Sequence, residues 1–255
     1  MKNPFAPITI VSFFFLSTFY LTADAQKPPS EQKVSVRAPA NIKIDGKATE
    51  WNNKFQAYSY HTQFYYTISN DDKYLYLTVQ ATDWIIISRI FNGGITFTIN
   101  KSDTKKDPEG IHLTYPVIQG FLIAFKRAPK IEKGSPAYVV DSFVNVQNYR
   151  MEQRSKFIKV VGVKDVDTTT SIYNLDGIKT AATIDNKYRY TYELAISLID
   201  LGLSADTPTK FTYQVMINEV EPEKHAPGEI YATFNLPGIG EQYATDFWGE
   251  YTLAK

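Results

Sequence analysis

The chain contains no cysteine. Disulfides, thiolate nucleophiles and Cys-ligated metals are therefore closed to it. So is the bacterial lipoprotein route, which needs a Cys at the cleavage point. Net charge is also missing, with 27 Lys plus Arg against 27 Asp plus Glu. A neutral chain lacks the basic face that nucleic acid demands, and it offers no polybasic tether to a membrane. Histidine is scarce: His61, His112 and His225 share neither a helix face nor a metal spacing. There is no Gly-x-Ser-x-Gly nucleophile elbow and no Gly-rich phosphate cradle. "NGG" at 92–94 reads as a turn or bulge.

Aromatic residues, by contrast, are plentiful: 18 Tyr and 16 Phe in 255 residues, with 44 % hydrophobic residues overall. That is enough for a sizeable core, and aromatics favour pleated surfaces. The first 25 residues read as an export signal. Lys2 supplies the positive start, residues 8–21 the apolar stretch, and Ala23-Asp24-Ala25 the cleavage site. The apolar run is short for a membrane span of about 20 residues. The expected organisation is a signal peptide over 1–25, a polar leader over 26–40 containing "KPPS", and one domain over 41–255. The expected location is periplasmic or extracellular, with no lipid anchor and no membrane span after cleavage.

Period-two alternation dominates the mature chain. Phe64, Tyr66 and Ile68 share one face; after the "NDDK" turn, Leu75, Leu77 and Val79 share another, with Tyr74, Tyr76 and Thr78 opposite. Such a pair predicts a hairpin. Ile95, Phe97 and Ile99 repeat the scheme, as do Tyr188 to Ile196, Phe211 to Ile217, Ile230 to Leu236 and Phe247 to Leu253. Between 134 and 164 the step changes: Val139, Phe143 and Val146 predict one short amphipathic helix. "SLIDLGL" at 197–203 predicts a single helical turn. The expected fold is all-β, an antiparallel two-sheet β-sandwich of jelly-roll or immunoglobulin-like type, with one short helical insert.

"KIDGKATEWN" at 43–52 opens the domain. Ile42 and Ile44 predict a strand with one buried face, Asp45-Gly46 a turn, and Trp51 a plug at the core edge with its N–H satisfied nearby. Taken in order with "ISNDDKYLYLTVQATD", "YELAISLIDLGL", "YQVMINE" and "DFWGEYTL", it resembles the carbohydrate-binding module family 9-like, or DOMON-like, β-sandwich, over residues 41–253. In sugar-binding members the ligand lies between two Trp rings while polar side chains grip its hydroxyls. The resemblance thus implies a non-catalytic glycan binder. This chain departs from the pattern at the site. Thr96 stands where an acid is usual and Met216 where a Gln is. Trp84 is displaced from the first clamp, and the second falls near Gln242, with Tyr243 the nearest aromatic.

Site residues follow from position. Trp84 reads either as a sheet-edge aromatic or as a sugar-stacking platform, and Arg89 as a hydroxyl donor. The resemblance carries over Asn218 and Glu219, because "INE" occupies the family's Asn-Asp strand end. Asp71, Asp72, Asp83, Asp103 and Asp107 invite calcium but lack the spaced ligands of a calcium loop. Solvated turns are the simpler reading. Some relatives hold haem through Met, His or Lys, which keeps Met151, Met216 and the histidines in view. Glu219, Glu221, Glu223, His225 and Glu229 cluster as glycosidase carboxylates could, but Pro222 and Pro227 mark that segment as an exposed loop. No catalytic residue is expected. No cofactor is called for, with calcium and haem left open. The partner is a glycan or, alternatively, an envelope protein.

Overall fold

A computed structural model describes residues 28–101, 110–118, 136–207, 209–220 and 243–255. Among the described residues the strands are β1 (Ala57–Ser59), β2 (Phe64–Asn70), β3 (Tyr74–Ala81), β4 (Ile95–Asn100), β5 (Ile111–Val117), β6 (Phe157–Val161), β7 (Thr169–Ser171), β8 (Ile178–Ile184), β9 (Tyr190–Ser197), β10 (Lys210–Ile217) and β11 (Thr245–Thr252). They form a five-stranded sheet in the order β1-β2-β3-β9-β8 and a six-stranded sheet in the order β11-β10-β4-β5-β6-β7. Every named pairing is antiparallel. The expected sandwich is therefore the fold observed. The run at 230–236 lies outside the described residues.

Alternation puts the apolar sets inside. Phe64, Tyr66, Ile68, Leu75, Leu77, Val79, Leu194 and Ile196 of the first sheet are fully buried, and they face Ile95, Phe97, Phe211, Tyr213, Val215 and Ile217 of the second. Burying one such side chain is worth about 1.5–3 kcal/mol, so the alternation dictates which face turns inward. Tyrosines are among the largest core members, with Tyr66, Tyr190, Tyr192 and Tyr213 fully buried. The Tyr66 and Tyr213 hydroxyls meet at 3.5 Å, and the Gln32 amide donates to the Tyr66 oxygen. Tyr213 lies directly across β11 at Gly249, where an added Cβ would come within 2.4 Å of the Tyr213 Oη.

Among the described residues two helices interrupt the strands, where one insert was expected. α1 (Trp84–Gly93) carries the chain from β3 to β4. Its "IIIS" run is strand-like in composition, but Asp83 Oδ1 caps it by accepting from the Ile85 and Ile86 amides. Gly94 stops it at φ 76°. Ile86, Ile87, Ile90 and Phe91 then face the core. α2 (Ala137–Arg154) is the expected insert, but its buried face is displaced: Val144, Gln147 and Met151 are covered, whereas Val146 is exposed. The helix fits where its polar side chains find partners. Asn148 brackets the end of β8, donating to the Ile184 carbonyl and accepting from the Ile184 amide, both at 2.8 Å.

Three smaller expectations change. Tyr188 belongs to a turn (φ 58°) rather than to β9, with its amide on the Asp185 carbonyl and its ring against Phe143. Trp51 is half-buried, but its Nε1–H has no partner among the described residues. The leader does not stand clear of the domain. The Gln32 side chain pairs with both backbone groups of Ile68, and the Val36 carbonyl and the Ala38 amide bond Asn70. The "SLIDLGL" turn does form, with the Leu201 amide reaching the Ser197 carbonyl at 3.2 Å.

Candidate functional site

The four residues singled out from sequence do not converge. Trp84 begins α1 and Asn218 fastens the other end of it, roughly 13 Å away by helical rise. Asn218 donates to the Gly93 carbonyl at 2.8 Å, accepts from Thr96 at 2.9 Å, and gives its own amide to the Gly94 carbonyl. Both ends of its carboxamide are thus committed to the helix stop. Arg89 is buried and donates through Nη2 to the Tyr243 carbonyl at 2.8 Å and to Thr245 at 3.1 Å, tying α1 to the start of β11. Burial lowers its pKa, and its Nε–H has no partner among the described residues. Trp84 is half-buried and Glu219 exposed.

A more coherent site lies on the outer face of the five-stranded sheet. There Tyr76 of β3, Ala195 of β9 and Lys179 of β8 stand in one row, because Tyr76 pairs with Ala195 and Ala195 with Lys179. The small Ala195 between two long side chains leaves a hollow. Tyr74, Ile172 and Tyr173 form walls around it, Ile42, Lys43 and Ile44 form another, and the groove holds about 510 Å³. That is within the range of about 300–1,000 Å³ usual for ligand sites. Tyr173 is 70 % exposed. Lys179 Nζ lies 5.4 Å from the Tyr74 ring centre, and Lys156 Nζ lies 5.6 Å from that of Tyr173, both within cation–π reach. A larger hollow of about 800 Å³ adjoins Tyr74, but Tyr74 is its one aromatic wall and the Arg37–Asp72 ion pair lies within it.

The opening motif builds one wall of this groove, which answers why Asp-Gly stands there. Ile42 to Ile44 do not form the expected strand. Ile42 and Ile44 are half-buried and Lys43 exposed, and the segment's anchor is a side chain of the sheet face and not a strand edge. The anchor is Glu193 of β9, whose Oε2 accepts the Asp45 and Gly46 amides at 3.0 and 2.9 Å. Gly46 has φ 76°, and a Cβ on it would come within 2.7 Å of the Ala182–Thr183 backbone. Only glycine lets the bend lie this close to β8. Asp45 Oδ1 closes the turn on the Lys47 amide, and Thr183 donates to the Gly46 carbonyl.

Electrostatics separate two acids beside the groove. Glu193 is fully buried, and its Oε1 has no partner among the described residues. Burial raises its pKa, the two amides oppose this, and the neighbouring Asp45 and Glu50 add to it, leaving Glu193 pushed up to about 7. Burial also raises Asp71, but hydrogen bonds from Tyr76, Lys73 and Tyr74 outweigh it and hold that carboxyl below its usual value. The Tyr76 hydroxyl donates to Asp71 at 2.6 Å, so it does not point into the groove as a free donor.

The other sequence candidates take structural places. Asp71 fixes the β2–β3 turn, Asp72 pairs with Arg37, and Asp83 caps α1; Asp103 and Asp107 lie outside the described residues. So do Glu221, Glu223, His225 and Glu229. His112 Nδ1 is bonded to Thr98 at 2.9 Å, His61 is exposed, Met151 packs in the core and Met216 lies half-buried on β10. Among the described residues no three His, Asp or Glu side chains come together as metal ligands, and no helix is long and apolar enough to cross a membrane. No family model matches the chain, and no curated protein does. What fold and site define is therefore an antiparallel β-sandwich with an aromatic, lysine-rimmed groove on one outer face.

Proposed function

We propose that this protein is an exported, non-catalytic carbohydrate-binding sandwich whose sugar stacks in the outer-face groove. The observation that carries the reading is the pair of tyrosine walls, Tyr74 and Tyr173, around a hollow floored by Ala195. Ring faces suit the C–H faces of a pyranose, and side chains at the rim can reach its hydroxyls. Export rests on the apolar segment and small-residue cleavage pattern before Gln26. The test is retention on glycan affinity gels, comparing wild type with Tyr173→Ala and Trp84→Ala. The reading expects Tyr173→Ala to weaken retention and Trp84→Ala to leave it intact. Loss through Trp84→Ala alone would move the site to the start of α1, and no glycan retained by the wild type would end the sugar reading.

A second reading, an envelope protein-interaction module, is favoured by one observation. Leu175 is 99 % exposed and Ile199 86 % exposed. They lie on the β7–β8 and β9–β10 connections, which meet where Gly177 approaches Asp200. Apolar side chains held out in water at adjoining loops fit a protein partner. Leu175→Ser with Ile199→Ser would abolish partner capture and leave glycan retention untouched.

A further inference from the structure

We infer that the groove selects acidic glycans, with uronate carboxylates bound by Lys43 and Lys179; this rests on the sugar reading above. The ten lining residues include these two lysines and no Asp or Glu. Both lysines are exposed, and among the described residues neither is within ion-pair distance of a carboxylate. In a chain of zero net charge, this local excess of positive charge comes from position rather than composition.

Two acids beside the groove are engaged elsewhere. Asp71 is held by the Tyr76 hydroxyl and by the Lys73 and Tyr74 amides. Glu193 faces the same sheet surface but lies under the Asp45-Gly46 bend with both amides on one oxygen. The lysines come from different segments. Lys43 comes from the wall fixed by Glu193, and Lys179 from β8, its Nζ over the Tyr74 ring. A sugar ring lying against Tyr74 or Tyr173 in this groove therefore has two ammonium groups among its lining side chains. A carboxylate at C5 of a pyranose is an in-plane substituent, so stacking and ion pairing do not compete. A neutral hexose would keep the stacking and lose the charge contact.

The test uses the mature-length protein in affinity gels containing polygalacturonate, its carboxyl-reduced counterpart, or polyphosphate as an anion without sugar rings. Binding is read at low and high salt. The expected result is retention by polygalacturonate, little by the reduced polymer or by polyphosphate, and weakening at high salt. Lys43→Gln and Lys179→Gln should each weaken retention roughly threefold, and together about tenfold, as expected for exposed ion pairs. Tyr173→Ala should weaken it as well, while Lys54→Gln, outside the groove, should not. Urea midpoints equal to wild type confirm that the lysine variants are folded.

Equal retention by the native and the reduced polymer, unaffected by the lysine variants, would sink the acidic class and leave the sugar reading standing. Equal retention by polyphosphate would show charge attraction only and also overturn it. Retention by no polysaccharide would end both. Polygalacturonate binding unchanged in the lysine and tyrosine variants would place the ligand elsewhere and overturn the assignment of this groove.

Discussion

Replacing Glu193 with Gln isolates the anchor of the groove wall. The wild-type carboxyl titrates near 7 when folded against an ordinary 4.5, so the folded protein holds a proton that the unfolded chain releases. Its stabilising contribution is present in full below pH 4.5 and is lost as pH rises through about 7. At about 1.4 kcal/mol per pH unit, the loss is about 3 kcal/mol. Glu193→Gln keeps a carbonyl oxygen for the Asp45 and Gly46 amides and cannot ionise. Its new amide would occupy the unpartnered Oε1 position at a cost of about 1 kcal/mol, the same at every pH. The assay is urea denaturation of both proteins from pH 4.5 to pH 8, read as the difference between them. His112, lowered by burial, contributes a rise in stability in part of this window, but it is common to both proteins and cancels. The wild-type advantage should shrink by about 3 kcal/mol across the range and reverse at about pH 5, where the loss overtakes the cost of about 1 kcal/mol for Gln. Parallel curves would refute the argument, because they would mean that Glu193 ionises as easily folded as unfolded.

Three further outcomes follow from close approaches and caps. Gly249→Ala places a methyl 2.4 Å from the Tyr213 Oη and should cost about 1–3 kcal/mol by overpacking, read from the urea midpoint. Gly46→Ala combines a left-handed backbone with a 2.7 Å approach to β8. It should destabilise by roughly 2 kcal/mol or more and, by displacing Lys43, lower glycan retention beyond what stability explains. Asp83→Ala removes the acceptor for two α1 amides and should cost about 0.5–2 kcal/mol, with faster hydrogen exchange confined to the first turn of α1.

The sandwich was legible because its strands obey one rule: every second side chain from Phe64, Leu75, Ile95 and Phe211 onward is apolar, and a sheet with one buried face requires that. α1 escaped notice because three consecutive isoleucines favour a strand. The competing signal was present, with Asp83 as a cap, Gly93-Gly94 as a stop, and Ile86, Ile87, Ile90 and Phe91 at helical spacing. In α2 the sequence pointed to the wrong face by one residue, because Asn148 orients the helix by hydrogen bonds to Ile184, which hydropathy does not register. The groove was the least legible feature. Its walls come from residues 42–44, 74–76 and 172–179, and only strand register brings Tyr76, Ala195 and Lys179 into line. Arg89 and Asn218 looked free for a ligand in sequence because nothing local shows that Tyr243, Thr245, Gly93 and Thr96 bond their side chains.

The single carboxamides on Ile68 and Ile184 have one more consequence. Each occupies the N–H and C=O of a strand at a point where, among the described residues, no other strand pairs with them, so those ladder positions are already taken. At these two positions a side chain, Gln32 or Asn148, takes the place that the backbone of a further strand would fill.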